Sequence, residues 1–232
     1  MSKPIKYAAL CSLSMLLAAC GSDNSTEAPT ATATASRVSA QTAQPASAYY
    51  DVVQRIYVAY FGRPADAGGL AFFAERFRDL GAPTNIVDLD NVYTSNADVR
   101  AIIDSFGTSA ESQALYAGDN SAFIEAIYGN LFGRAADQAG KAYWTNAINL
   151  GQVTRARAAV QIMSGAQTSD AALIVKKAAV AGNFTTALNS AQRSLAYDGL
   201  AANVVVRNLL AGVTVNTDPA AFQGNIDSTL TT

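Results

Sequence analysis

Histidine is absent from this 232-residue chain, and cysteine occurs only twice, at Cys11 and Cys20. The first absence removes the commonest general base and the commonest transition-metal ligand. The second excludes a disulfide framework, a cysteine-rich zinc site and a Cys–His nucleophile after residue 20. Charged residues make up only 15%, and the net charge of −2 argues against a nucleic-acid partner. No nucleophile elbow or phosphate-binding glycine loop is present, so we expect neither catalysis nor a cofactor.

The first twenty residues have the pattern of a bacterial export signal. Lys3 and Lys6 precede an apolar stretch, Tyr7–Ala19, that is too short to span a bilayer as a helix. The stretch ends in Leu17-Ala18-Ala19-Cys20, which resembles the lipobox of lipoproteins. The pattern predicts a signal peptide over residues 1–19 and lipidation of Cys20, which includes palmitate. The alternative is an ordinary signal peptide followed by a chance cysteine.

The residues after Cys20 indicate where such an anchor would hold the protein. Gly21 and Ser22 follow, with no aspartate directly after the cysteine. By resemblance to the sorting pattern of Gram-negative bacteria, this favours the outer membrane. The sequence does not distinguish its periplasmic face from its surface face. The membrane is then one partner, reached through the lipid anchor.

Residues 20–48 have a different composition from the rest of the chain. Serine, threonine, alanine, proline and glutamine dominate, and there is no aromatic residue. Such a segment has nothing with which to pack a core. We expect a lipidated N-terminus and a disordered tether over residues 20–48, with the folded domain over residues 49–232.

The folded part contains an internal repeat at a constant offset of 71 residues. Ile56–Phe73 aligns without gaps on Ile127–Trp144, and chance is a poor explanation for the number of matched positions. The identical pairs include Ile56/Ile127, Tyr57/Tyr128, Phe61/Phe132, Gly62/Gly133, Arg63/Arg134, Asp66/Asp137 and Gly69/Gly140. The pairs Phe72/Tyr143 and Phe73/Trp144 keep their aromatic character.

Each copy has the pattern of a helix, a tight turn and a second helix. Apolar residues recur at helical spacing up to Gly62 and Gly133, which are placed to adopt the positive φ of a helix C-terminus. Asp66 and Asp137 then stand where an N-cap accepts hydrogen bonds from free helix amides. The second helices are predicted over Ala67–Leu80 and Gln138–Leu150.

The remaining sequence also has helical periodicity and caps. Asn203–Val206 is β-branched, but no turn residue separates it from Arg207–Leu210, so a helix is predicted there too. The further helices are predicted from Asn96 to Phe106, from Ser109 towards Gly118, over Arg155–Ser164 behind Thr154, from Ser169 to Leu188 with a break near Gly182, over Gly199–Leu210, and from Asp218-Pro219 to Leu230. The expected fold class is all-α: a compact multi-helix domain with two internal helix-turn-helix repeats, preceded by a disordered tether.

The repeated motif resembles the bacterial family called domain of unknown function 4214. The resemblance rests on Phe61–Asp66 with Gly69, and on Leu131–Asp137 with the aromatic pair Tyr143-Trp144. It extends from about Tyr49 to the C-terminus and is strongest over Tyr49–Phe73 and Ser112–Gln167. The resemblance implies a surface or secreted protein, because such modules accompany calcium-binding repeats, S-layer-like segments or adhesins. It implies no activity, and glycine-aspartate nonapeptides are absent here.

The repeated Arg and Asp residues have two interpretations. The pairs Arg63/Asp66 and Arg134/Asp137 are placed to bind an anionic or hydroxyl-rich ligand. The structural alternative, which the spacing favours, is that each arginine steadies the turn and each aspartate caps a helix.

Three further sets of residues also have a functional and a structural interpretation. Asp88, Asp90, Asp98 and Asp104, with Asn85 and Asn91, are either calcium ligands or solvated loop carboxylates, the latter being favoured. Lys176-Lys177 and Arg155/Arg157 either meet lipopolysaccharide phosphates or form a solvated helix face, which is favoured. The aromatic residues either stack on sugars or fill the core, again the favoured reading; they are Tyr57, Phe61, Tyr128, Phe132, Tyr143 and Trp144.

The sequence leaves two classes of function. The favoured one is a non-catalytic, membrane-anchored module that binds extracellular polysaccharide or a surface-layer or adhesin protein. The binding surface is expected on exposed residues outside the repeated turn, where the two copies differ. The alternative is an unrecognised glycan-active enzyme, which needs two close carboxylates flanking a sugar.

Overall fold

The computed structural model describes residues 44–231, and within them it is all-helical without a strand. The predicted signal peptide, the predicted lipidation site Cys20 and most of the predicted linker lie outside the described residues. The helices are α1 Tyr50–Phe61, α2 Ala67–Asp79, α3 Ile86–Tyr93, α4 Ala97–Thr108, α5 Ala110–Leu115, α6 Asn120–Phe132, α7 Gln138–Asn149, α8 Arg155–Ser164, α9 Thr168–Ala187, α10 Ala191–Ala196, α11 Gly199–Ala211 and α12 Gln223–Leu230. The all-α fold class is confirmed.

The two repeats form the helix pairs α1–α2 and α6–α7. In each pair the first helix ends at a glycine with left-handed φ, 65° at Gly62 and 63° at Gly133. The second helix begins behind an aspartate, whose side chain accepts a hydrogen bond from the amide three residues later. Glycine tolerates the positive φ without the steric penalty that a Cβ brings. Local sequence therefore sets both ends of the turn.

Helix α1 lies at the centre of the main core, packed against α2, α6, α8 and α9. Its buried aromatic rings surround Phe106 of α4: the ring centroids of Tyr57 and Tyr60 lie 5.5 and 5.8 Å from that of Phe106. Burial of large aromatic side chains supplies much of the stabilisation of such a core. The same cluster includes the apolar face of α6, so the two repeats share one core.

A second cluster joins α9 to the C-terminal helices. Phe184 of α9 packs edge-on against Tyr197, with ring centroids 4.9 Å apart. Val206 and Leu210 of α11 and Ile226 of α12 complete the buried set. Tyr197 of this cluster also contacts the turn of the first repeat. Among the described residues, the turn of the second repeat has no equivalent contact.

Four elements differ from the sequence-based expectation. Asn85 caps a helix, α3, whose Ile86, Leu89 and Tyr93 are buried, so this acidic segment is not a loop. Helix α9 begins at Thr168, without Ser169 as cap, and runs unbroken past Gly182. The short helix α10 was not expected. The Asp218 carboxylate accepts from the amide of Ala220, forming a turn that delays the last helix to Gln223.

Helical structure is present slightly before the expected domain boundary at Tyr49. A short 3-10 helix, Ala46–Tyr49, precedes α1 and packs against α2. Tyr49 is buried, and its hydroxyl donates to the Ala82 carbonyl oxygen at 2.9 Å. Within residues 44–231, no helix combines the length and the apolar character needed to cross a bilayer.

Candidate functional site

The two repeated turns have the same internal geometry. Each arginine lies over the two aromatic rings of its own first helix: Arg63 over Tyr57 and Phe61, and Arg134 over the corresponding pair, at 5.3 to 5.5 Å from the ring centroids. Asp66 accepts from the Gly69 amide at 2.7 Å. In the second copy, the Asp137 carboxylate accepts from the Gly140 amide at 2.8 Å.

The glycines at the start of each second helix are required by a close approach. A Cβ at Gly69 would lie 2.2 Å from the Tyr57 hydroxyl, and one at Gly140 would lie 2.9 Å from the Tyr128 hydroxyl. Both tyrosine rings are buried. The pair Gly69/Gly140 is therefore fixed by packing of the turn against its own first helix, without reference to a ligand.

Sequence reasoning missed another repeated interaction. The side-chain oxygen of Gln54 accepts from the Ala65 amide at 3.0 Å, and Glu125 accepts from the Ala136 amide at the same distance. Both acceptors stand at equivalent positions of the repeat, one turn before the matched tyrosine. The offset of 71 residues pairs Gln54 with Glu125 just before the aligned segment, and this was the available signal, since both side chains carry an oxygen acceptor.

Outside the turn itself, Arg63 has partners that Arg134 lacks. The guanidinium is buried and forms two parallel bonds to Glu111, with Nε and Nη2 at 2.8 and 2.6 Å from the carboxylate oxygens. Its Nη1 donates to the Tyr197 hydroxyl at 3.0 Å. Arg207 of α11 donates to the same Glu111 at 2.8 Å and to the Phe61 carbonyl oxygen. Glu111 thus links the first turn to α5 and α11.

Electrostatic interactions keep the Arg63 guanidinium charged. Burial alone would lower the pKa of Arg63, but the hydrogen bonds and attraction from Glu111 and Tyr197 raise it above its usual value. Burial raises the pKa of Tyr197 to about 12, against the lowering effect of Arg63. Arg63 is therefore a fixed cation with its donors directed at protein partners, and it is not free to bind an anion.

Arg134 is in a more open environment. Its Nη2 pairs with Asp170 of α9 at 2.6 Å, and its side chain is about half exposed. Among residues 44–231, the second turn has no counterpart of the hydrogen bonds that Tyr197 of the α10–α11 connection and Arg207 of α11 make at the first turn. The two copies therefore share their turn geometry and differ in what packs against it.

A polar cleft lies beside the first turn. It has a volume of about 390 Å³ and is bordered by Arg63, Asp66 and Gly68 on one side and by Asp198 and Asn203 on the other. The Asp198 carboxylate is exposed and does not cap α11. The cleft therefore joins two carboxylates from distant parts of the chain, neither of them fully buried.

The acidic residues considered as calcium ligands have separate partners. Asp88 accepts from the Asn85 side chain, Asp90 pairs with Arg157, and Asp104 accepts from the Tyr93 hydroxyl. Asp98 stands in the first turn of α4. Among residues 44–231, no group of three or more acidic side chains is arranged to hold a metal ion. Helical packing disperses the cluster that the sequence brings together.

The basic residues are also not a solvated face. Lys177 is almost fully buried, and its Nζ donates to the Asn130 carbonyl oxygen at 2.5 Å, so the expectation of a solvated lysine was wrong. Burial lowers the pKa of Lys177 to about 8. Arg155 donates to the carbonyl oxygens of Tyr116 and Gly118. Arg157 pairs with Asp90, so these cations serve the fold.

The aromatic candidates divide into two sets. Four of them are buried in the core: Tyr57, Phe61, Tyr128 and Phe132. Tyr143 of α7 is 65% exposed, and its counterpart Phe72 of α2 is 53% exposed. Each exposed ring stands edge-on against the half-buried ring that follows it, Phe73 or Trp144, at 5.1 and 4.9 Å. An exposed aromatic ring is thus present at the same place in both repeats.

These features define an all-helical domain built on two copies of one helix-turn-helix unit. Residues 103–169 match the family described as Domain of unknown function (DUF4214). The match runs from within α4 into α9 and contains the second repeat. The predicted resemblance is therefore confirmed for these residues, and the first repeat lies outside the match. No curated protein and no solved structure matches the chain.

Proposed function

We propose that this protein is a non-catalytic module, anchored to the outer membrane by a lipid on Cys20, that binds extracellular polysaccharide. The observation that supports binding is the pair of exposed rings, Phe72 and Tyr143. They lie outside the repeated turn, as expected, but at a position where both copies are aromatic and not where the copies differ. Each lies on the second helix of its repeat, 53% and 65% exposed. Sugar rings present C–H faces that pack on aromatic faces, and an aromatic side chain offers a large contact area with few rotatable bonds.

The repeat supplies an argument that a single copy cannot. Exposing a phenyl or phenol ring to water is unfavourable, and many polar residues would suit an exposed helical position. Both copies nevertheless have an aromatic ring there, although other exposed positions differ: Tyr50 of α1, 41% exposed, corresponds to Ser121. Selection for contact with a ligand accounts for the paired rings.

Two weak sites suit a polymeric ligand. A polysaccharide chain repeats its sugar, so a second ring on the same domain acts at a raised effective concentration. Tyr143 is the more open of the two, because the Arg76 guanidinium lies 5.3 Å from the Phe72 ring centroid. We therefore assign Tyr143 the larger share of binding.

Two other partners compete with this assignment. A surface-layer or adhesin protein would use the same rings but a wider surface. A glycan-active enzyme would use the two carboxylates of the polar cleft. Asp66 already accepts the Gly69 amide and Asp198 is exposed, whereas the two carboxyl groups of a glycosidase are held close together on either side of the sugar. The cleft therefore favours recognition over hydrolysis.

The test uses the soluble chain beginning at Gly21 on a glycan array and in pull-downs with insoluble polysaccharides, with and without calcium. Phe72→Ala with Tyr143→Ala should lower retention by about tenfold or more, since each ring contributes roughly 1 kcal/mol of contact. Tyr143→Ala alone should have most of that effect. The matched control is Tyr50→Ala, which removes an exposed tyrosine that has no aromatic counterpart.

Equal loss in the Tyr50→Ala control, or unchanged retention in the double variant, would contradict the role of the paired rings. Release of shortened sugars from a bound polysaccharide would support the enzyme instead. Capture of a surface protein and of no glycan would support the protein partner.

The anchor is tested separately. Cys20→Ser should release the protein from the outer-membrane fraction or leave its signal peptide uncleaved, because the thiol that receives the lipid is gone. Metabolic labelling with radioactive palmitate measures the modification directly. Palmitate incorporation that persists in the Cys20→Ser variant would rule out this anchor.

A further inference from the structure

Two cavities lie side by side at α10 and α11. The polar cleft of about 390 Å³ and a second groove of about 540 Å³ share Tyr197 and Asp198 among their lining residues. Because they share these two residues, the two cavities lie next to each other. They differ in chemistry, and the difference indicates what kind of molecule would occupy both.

The second groove is mainly apolar. Ala202, Val205 and Val206 of α11 line one side, and Phe184 of α9 and Leu230 of α12 line another. Small and β-branched side chains leave room for a narrow, flexible apolar group. Each methylene group moved from water into such a groove contributes favourably to binding. An aliphatic chain is the occupant that this lining suits.

The polar cleft selects the other end of the ligand by charge. Its cation, Arg63, already donates to Glu111, Tyr197 and the Pro64 carbonyl oxygen. The carboxylates of Asp66 and Asp198 border the same cleft. An anionic group would therefore meet two negative charges and a neutralised arginine, whereas hydroxyl groups would find carboxylate acceptors.

We propose that the two cavities form one binding site for an amphiphile, with an uncharged polyhydroxylated head in the polar cleft and an aliphatic chain in the apolar groove. A glycolipid without phosphate has this chemistry. The site uses none of the exposed rings assigned to polysaccharide, so it goes beyond the proposed function and does not depend on it. It lies between the first repeated turn and the C-terminal helices, and its lining residues are outside the residues matched to the family.

The probe is octyl β-glucoside, titrated below its critical micelle concentration into the chain beginning at Gly21. Calorimetry should give one molecule bound per chain. Val205→Gln should weaken binding by about tenfold, because it puts a polar amide in the groove. Val204→Gln is the matched control: Val204 is the preceding residue, its exposure of 53% is close to the 49% of Val205, and it does not line the groove. Circular dichroism checks that both variants fold.

The head group is tested with two further probes. Octanol should bind at least tenfold more weakly than octyl β-glucoside, since it leaves the polar cleft empty, and octyl phosphate should bind more weakly because of Asp66 and Asp198. Asp198→Asn should reduce the difference in affinity between octyl phosphate and octyl β-glucoside. Equal loss in the two valine variants would indicate general surface association, and tighter binding of octyl phosphate would contradict the charge selection. Either result overturns the proposal.

Discussion

Replacing Glu111 with alanine should lower the free energy of unfolding by about 3 kcal/mol or more. The carboxylate is the shared acceptor of Arg63 and Arg207, at 2.6 to 2.8 Å. Its removal leaves the buried Arg63 guanidinium with only the Asp66 carboxylate, 4.0 Å away and half exposed, as a countercharge, and a buried charge that loses its hydrogen-bonded partner is strongly destabilising. Urea unfolding followed by circular dichroism measures the effect through the shift of its midpoint.

Glu75→Ala is the control for the loss of a glutamate from a helix, since Glu75 is exposed on α2. It should change stability by less than about 0.5 kcal/mol. Arg207→Ala should have an intermediate effect, because Arg63 keeps its two bonds to Glu111. If Glu111→Ala is no more destabilising than Glu75→Ala, the cluster contributes nothing and the first turn is held by its own residues.

The parts of the fold that follow from sequence are those with local causes. Gly62 and Gly133 were assigned as helix ends because only glycine adopts a positive φ at little cost, and both have it. Arg155–Ser164 was predicted with the observed bounds, because Thr154 caps its first turn. In these places the nearest few residues supply both the hydrogen bonds and the backbone preference, so a pattern of four or five residues is sufficient.

The elements that were missed depend on distant packing. Asp88 and Asp90 are poor helix formers, so α3 looked like an acidic loop. Its buried face lies against α8, which compensates for the low propensity. At the last helix, Asp218 was expected as an N-cap, but its carboxylate closes a turn with Ala220. Local rules recognised Asp218 as an acceptor for a nearby backbone amide, but they misplaced the helix start.

In the candidate sites, too, local features follow from the sequence and features that depend on distant packing do not. Arg63 and Arg134 are identical in their own turns, and nothing near them in sequence indicates that one is buried and the other half exposed. The difference comes from Glu111 and Tyr197, which lie 48 and 134 residues from Arg63. Likewise, Phe72 and Tyr143 lie at helical positions in the sequence, as the core aromatic residues do. Only the packed structure distinguishes an exposed ring from a core ring.

Lys177→Met should raise stability at pH 7 by about 3 kcal/mol, because methionine fills a similar volume without a buried charge. The Lys177 side chain is almost fully buried, and burial lowers its pKa from 10.5 to about 8. Between these values the unfolded chain binds a proton that the folded chain does not. The penalty is therefore complete below pH 8 and declines as pH rises.

The pH profile makes this prediction specific. Relative to Lys177→Met, the wild type should gain about 1.4 kcal/mol per pH unit between pH 8 and pH 10. The difference in stability between wild type and variant cancels the contribution of the tyrosines, which titrate in both proteins. Tyr116 is an example, because burial raises its pKa to about 12. Lys176→Met, at the neighbouring position of α9 and partly exposed, is the matched control for the loss of a lysine. A flat difference for Lys177→Met would mean that this lysine stays charged when folded, compensated by the Asn130 carbonyl oxygen and its surroundings.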